Sequence, residues 1–208
     1  STKLVVAKVA GMTCTASADV ACFIYTREFI QKLIDRGHES VLEHIVYTFR
    51  VQGITRALLQ ELARHRHISL SVESTRWAMK KAQRRGELRA TLSDILEQRL
   101  PMDKRSPEIG EKLSKALTLA DGLDAVVFDL ANLGVPNDVL KYFLIEARFT
   151  DLFLTVNARE LRHVIKLRSA SNALAEFQDL AKLLYQCVPD DHKFMYIDVL
   201  SSIESEGE

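Results

Sequence analysis

The apolar residues of this chain change their period between residues 19 and 63, and that change confines the fold to helices packed on a sheet. Across Asp19 to Arg36, Val20, Phe23, Ile24, Ile30, Leu33 and Ile34 recur at three- and four-residue steps, the pattern of one helix face, and Gly37 stops it. In Ile45 to Val51 the period falls to two. Ile45, Tyr47, Phe49 and Val51 are β-branched or aromatic and share one face of a strand that Gly53 ends. Thr55 can then cap a helix through Ala63 that buries Leu58, Leu59 and Leu62.

Further along, Ile68, Leu70 and Val72 alternate with polar residues, which predicts an extended segment lying close to something it binds. Ser106-Pro107-Glu108 opens a helix to about Leu133. Gly134 and Pro136 break it, and Asn137 can cap the next helix to about Arg148. Thr150 to Val156 reads as a short strand, and Asn157 to Glu160 has capping-box spacing for a helix to about Arg168. Helices over Asn172 to Cys187 and His192 to Ile203 complete an α+β, helix-rich class. With 208 residues and 47% hydrophobic content, a single domain over 1–208 is expected.

Charge and cysteine content exclude several functions. Lysine plus arginine and aspartate plus glutamate number 28 each, so no overall imbalance points to nucleic acid or a membrane surface, and any anion site must be local. Cys14, Cys22 and Cys187 lack the spacing of a disulfide framework or a zinc site, so no metal is expected. Cys22 and Cys187 read as packing residues. No apolar stretch approaches the roughly 20 residues that span a bilayer, so a soluble, cytoplasmic protein is expected.

The densest polar cluster is Arg64-His65-Arg66-His67 followed by Ser69, Ser71, Glu73, Ser74, Thr75 and Arg76. Guanidinium groups hold phosphates through paired hydrogen bonds, and hydroxyls complete the cradle. Taken alone, the cluster fits either a phosphorylated ligand or a solvated face. The five Lys or Arg residues of Lys80 to Arg89 read as a solvated loop.

Spacing narrows the choice. Arg64-His65-Arg66, seven residues, then Ser74, with Gly37-His38-Glu39-Ser40-Val41-Leu42-Glu43-His44 before it and Asn157-Ala158-Arg159 and Leu167-Arg168 after it, resembles the flavin-dependent thymidylate synthases. The resemblance covers roughly residues 37 to 187. It implies that family's helix-rich fold with a small antiparallel sheet. It also implies reductive methylation of dUMP to dTMP, with FAD as hydride carrier, methylenetetrahydrofolate as carbon donor and NAD(P)H as reductant.

The resemblance assigns Ser40, Arg64, His65, Arg66, Asn157, Arg159 and His163 to FAD. It places Glu61, Leu62, Ala63, Arg64, Val72, Glu73, Ser74, Thr75, Arg76, Lys141 and Arg168 around dUMP. Arg168 is the expected catalytic residue, a fixed cation that stabilises negative charge on the uracil. Val72 stands where the family usually has Glu, Glu61 where it has Gln, and Lys141 where it has Arg. A homotetramer with active sites shared between subunits is implied, with no nucleic-acid or membrane partner.

Overall fold

The computed structural model describes residues 27–75, 80, 92, 96–97 and 100–204. Its helices are α1 (Arg27–Asp35), α2 (Arg56–Leu62), α3 (Pro107–Asn132), α4 (Asn137–Leu140), α5 (Ala158–Arg168), α6 (Ala175–Gln186) and α7 (Ile197–Glu204). The strands β1 (Val46–Thr55), β2 (Ile68–Val72) and β3 (Phe149–Asn157) form an antiparallel sheet in the order β1-β3-β2. The class is α+β and helix-rich, as the periodicity predicts. Among the described residues no helix is long and apolar enough to cross a membrane.

Two compact units alternate along the chain. Of the described residues, one takes those up to Phe49, His65–Leu70 and those from Leu154 on; the other takes Arg50–Arg64 and those within Ser71–Phe153. Val20, Phe23, Ile24, Cys14, Cys22, Arg76, Trp77 and nearly all of the Lys80 to Arg89 stretch lie outside the described residues.

In the first unit, α1 buries Ile30, Leu33 and Ile34. It ends as the sequence predicts. Gly37 takes φ +74° and closes a Schellman turn in which Gly37 N–H donates to Ile34 O at 2.8 Å and His38 N–H to Leu33 O at 2.8 Å. A 3-10 turn over Glu39–His44 follows. The α5 cap also holds, since Asn157 Oδ1 accepts from Glu160 N–H at 2.8 Å. On α6, Phe177, Leu180, Ala181 and Leu184 are buried.

Two boundaries and one burial expectation in this unit differ from the structure. The helix expected from Asn172 begins at Ala175, and a 3-10 stretch over Asp190–Tyr196 precedes α7. Cys187 is exposed and free, not a packing residue, because it lies on the side of Leu183 and Gln186, whereas the buried stripe runs through Leu184 to Val188.

In the second unit Gly53 bends β1 without ending it. The buried side of the strand runs through Tyr47 and Val51, then skips to Ile54, because Gln52 and Gly53 are both exposed and Gly53 sits at φ +70°. An inserted step of this kind shifts the two-residue period by one, as a bulge does. Asp151 Oδ1 accepts from Gly53 N–H at 2.9 Å and stabilises the kink.

Thr55 caps α2, its Oγ1 accepting from Leu58 N–H at 3.1 Å. The N–H groups of Arg56 and Ala57 donate to the carbonyls of Arg148 (2.9 Å) and Glu146 (3.1 Å). The helix expected from Asn137 to about Arg148 stops at Leu140 and gives way to a 3-10 turn over Lys141–Phe143, while the carbonyls of Glu146 and Arg148 satisfy the start of α2. Asn137 is the first helical residue, with Pro136 before it in the cap position. Because Thr55 is only 1% exposed, Thr55→Ala should cost about 1–2 kcal/mol, read as a lower urea midpoint at unchanged m-value.

Candidate functional site

Within the first unit, α5 carries Arg159, Arg162, His163 and Lys166 at steps of three and four residues, so they share one face. That face lines a cavity of about 630 Å³, within the range of small-molecule sites. Its other walls are Glu39 and Glu43 from the 3-10 turn, His67 from the loop before β2, and Asp198 and Val199 from α7. Asn157 and Glu160 close it at the start of α5.

The donors of this cavity are held in different ways. Arg159 Nη1 donates to Glu43 Oε1 at 2.6 Å, and both side chains are about half exposed. An exposed pair of this kind is weak, so an incoming anion can take Glu43's place. Arg162 is buried. It donates to Glu39 at 3.0 Å, to both oxygens of Asp198 at 2.7 Å, and to the carbonyl of Met195. Asn157 uses its carbonyl oxygen as the helix cap and therefore presents its amide N–H groups as donors. Arg159, His163, Lys166 and the Asn157 amide suit a ligand that combines a polar heterocycle with phosphate.

Beneath this face lies His65, 7% exposed. Its Nε2 accepts from Arg168 Nε at 3.1 Å, which requires the ring proton to be on Nδ1, and Nδ1–H donates to Glu160 Oε1 at 3.1 Å. Burial pushes the His65 pKa below its ordinary value; the Glu160 hydrogen bond works against burial, and the Arg168 charge works with it. The imidazole is neutral. Arg168 also stacks on Phe177, its Cζ 4.6 Å from the ring centroid. His65, Glu160 and His163 bring potential ligand atoms within 4.8 Å of one another. A cation there would have to displace the Nδ1 proton and sit beside the Arg168 charge.

The residues expected at a flavin are thus partly gathered in this unit. Asn157, Arg159 and His163 line the cavity, and His65 is buried against Glu160 from its wall. Ser40 is exposed on the turn that supplies Glu39 and Glu43, and Arg66 is exposed beside His67. Sequence reasoning missed Glu39, His67, Arg162, Lys166 and Asp198 as cavity residues. Two of them carried a signal: Arg162, a charge beside Leu161 and three residues before Ile165 on an otherwise apolar stripe, and Lys166, three residues after His163 on the face it shares with Arg159.

The second unit holds most of the residues expected at the nucleotide. Arg64 is exposed, 3.7 Å from Glu61, whereas Leu62 is fully buried in the core and Ala63 is exposed after the last turn of α2. Val72 is 37% exposed, and Glu73 N–H donates to Asp151 O at 2.8 Å, which fixes the backbone before the exposed Ser74. Thr75 Oγ1 accepts from Arg56 Nη2 at 3.0 Å, a clamp the sequence did not reveal. Lys141 is exposed, with Nζ 5.3 Å from the Tyr142 ring centroid.

A family model described as thymidylate synthase complementing protein matches residues 2–191. The flavin-dependent thymidylate synthase of Wolinella succinogenes is 39% identical over 171 residues, covering 82% of this chain and 80% of that one. Its counterpart from Helicobacter pylori is 35% identical over 172 residues, covering 78% and 76%. A Helicobacter pylori flavin-dependent thymidylate synthase crystallised with FAD and dUMP superposes with a TM-score of 0.71 at 31% identity over 95% of each chain.

Proposed function

The chain belongs to the flavin-dependent thymidylate synthase family, and from that membership we propose that it methylates dUMP to dTMP with FAD bound in the α5 cavity. The observation that carries this reading is that one helix bears both a donor face suited to a flavin nucleotide and, at its end, an oriented arginine. Asn157, Arg159 and His163 would hold the cofactor's polar edge and phosphates, with Ser40, Arg64, His65 and Arg66 completing the contacts. FAD, when bound, supplies the hydride chemistry.

The protein's own share is binding and electrostatics. Arg64, Ser74, Arg76 and Lys141 would take the nucleotide's phosphate and sugar, with Glu61, Leu62, Ala63, Val72, Glu73 and Thr75 shaping the wall. Lys141 keeps the charge of the arginine usual in the family but not its bidentate fork, so the phosphate is held by a point charge there. Arg168 faces the uracil. Its cation stabilises the anion as N3 loses its proton and C5 becomes nucleophilic. No enzyme nucleophile is needed. Methylenetetrahydrofolate is the carbon donor, NAD(P)H the reductant, and a homotetramer with shared sites the assembly; cytoplasmic residence belongs to the same reading.

The test is anaerobic. Purified protein should be yellow with flavin absorbance, and after reduction it should convert dUMP and methylenetetrahydrofolate to dTMP. Flavin-loaded, reduced protein that forms no dTMP overturns the proposal.

A further inference from the structure

Glu160 occupies the third position of α5, where a capping-box carboxylate would turn back to the cap. Only half of that box forms. Its N–H is held by Asn157, and its carboxylate accepts instead from Nδ1 of His65, a residue 95 positions earlier. An imidazole carries one proton when neutral, so fixing it on Nδ1 makes Nε2 an acceptor. Arg168 Nε–H fills that acceptor, and the face of Phe177, itself 0% exposed, supports the guanidinium plane. The His65 ring is also set edge-on to Phe177, with centroids 5.8 Å apart. A hydrogen bond along the guanidinium edge and a stacking contact on its face orient Arg168.

We propose that Glu160 and His65 are positioning residues for Arg168: the carboxylate sets the tautomer, and the tautomer aims the guanidinium. The role rests on the reading of Arg168 as the cation at the uracil, and it acts through hydrogen-bond polarity, not bulk. It carries a pH consequence. The titratable and charged groups facing His65 are Glu160, His163 and Arg168, all from α5, while α6 contributes the uncharged Phe177. Protonating His65 turns Nε2 into a donor pointed at a cation, so the hydrogen bond that aims Arg168 Nε is lost at low pH. Burial lowers the His65 pKa, which keeps the relay assembled at and somewhat below the ordinary imidazole value of about 6.5.

Two substitutions separate polarity from packing. His65→Gln can place a carbonyl oxygen near the former Nε2 and still accept from Arg168. His65→Asn reaches only the Nδ1 position and removes the acceptor of the Arg168 Nε–H. Per bound flavin, kcat should fall on the order of 10²-fold in His65→Asn, the loss expected for a misaimed group, and less than about 10-fold in His65→Gln. The decline of kcat in acid expected of the wild type should be absent from His65→Gln. Equal kcat in both variants, with the acid decline retained, overturns the proposal.

A second measurement needs neither turnover nor flavin. Nitrogen NMR of His65 in the flavin-stripped protein should report the Nδ1–H tautomer, shifting towards a mixture in Glu160→Ala. A predominant Nε2–H tautomer in the wild type overturns the relay. A wild type that makes no dTMP sinks the synthase assignment instead, and the NMR result still decides the relay.

Discussion

Arg168→Ala is expected to lower dTMP formation by roughly 10²–10³-fold or more, the loss that follows removal of a preorganised group from a developing charge. Arg168 is not among the residues lining the α5 cavity, so the flavin should remain bound. The fold should survive as well. Arg168 lies in the last turn of α5, and its loss leaves His65 Nε2 without its donor, a penalty of about 1–3 kcal/mol at a buried acceptor. Tritium release from dUMP labelled at C5, normalised to bound flavin, is the measurement. Arg168→Lys keeps the charge but loses both the Nε donor and the flat group that stacks on Phe177, so it should fall between the two. Wild-type rates in Arg168→Ala would remove this residue from the chemistry and direct attention to Arg64 or Lys141.

Local signals in the sequence transferred to the structure; long-range ones did not. Thr55, Ser106 and Asn157 each cap the helix their position implies, because a cap is settled within four residues. Gly37 closes α1 for the same reason. Gly53 bends β1 where its position implies an end, because a positive-φ glycine can do either and the choice depends on Asp151, 98 residues away. The helix expected after Asn137 ends at Leu140, and the carbonyls of Glu146 and Arg148 beyond it cap α2, a long-range pairing that local spacing does not encode. Arg159 and His163 were legible as a pair through helical spacing. The cavity's acidic wall was not, because Glu39 and Glu43 reach α5 from a 3-10 turn and Asp198 from α7, approaches that no periodicity encodes.

Arg162 shows what that long-range wall does, and Arg162→Met should cost about 2–3 kcal/mol in urea unfolding. The guanidinium side chain is 4% exposed and joins α5 to α7 through Asp198 and to the 3-10 turn through Glu39. Removing one partner from a fully buried pair costs roughly 3–5 kcal/mol. Here the carboxylates left behind are 30% and 49% exposed, so water recovers part of that loss. Methionine keeps most of the stem's packing. The pH dependence has a definite sign. Burial alone would raise the Asp198 pKa, but the Arg162 hydrogen bond and charge outweigh it and hold the carboxyl below its usual value. Its contribution is therefore present above the unfolded carboxylate value of about 3.9 and is lost as pH falls through the lower folded value. Asp198→Asn should flatten that part of the acid-unfolding curve, and Arg162→Met should flatten it too, because the same bond is gone. If Arg162→Met instead unfolds within about 0.5 kcal/mol of wild type, the bond contributes no more than an ordinary surface contact and α7 is held by its apolar face alone.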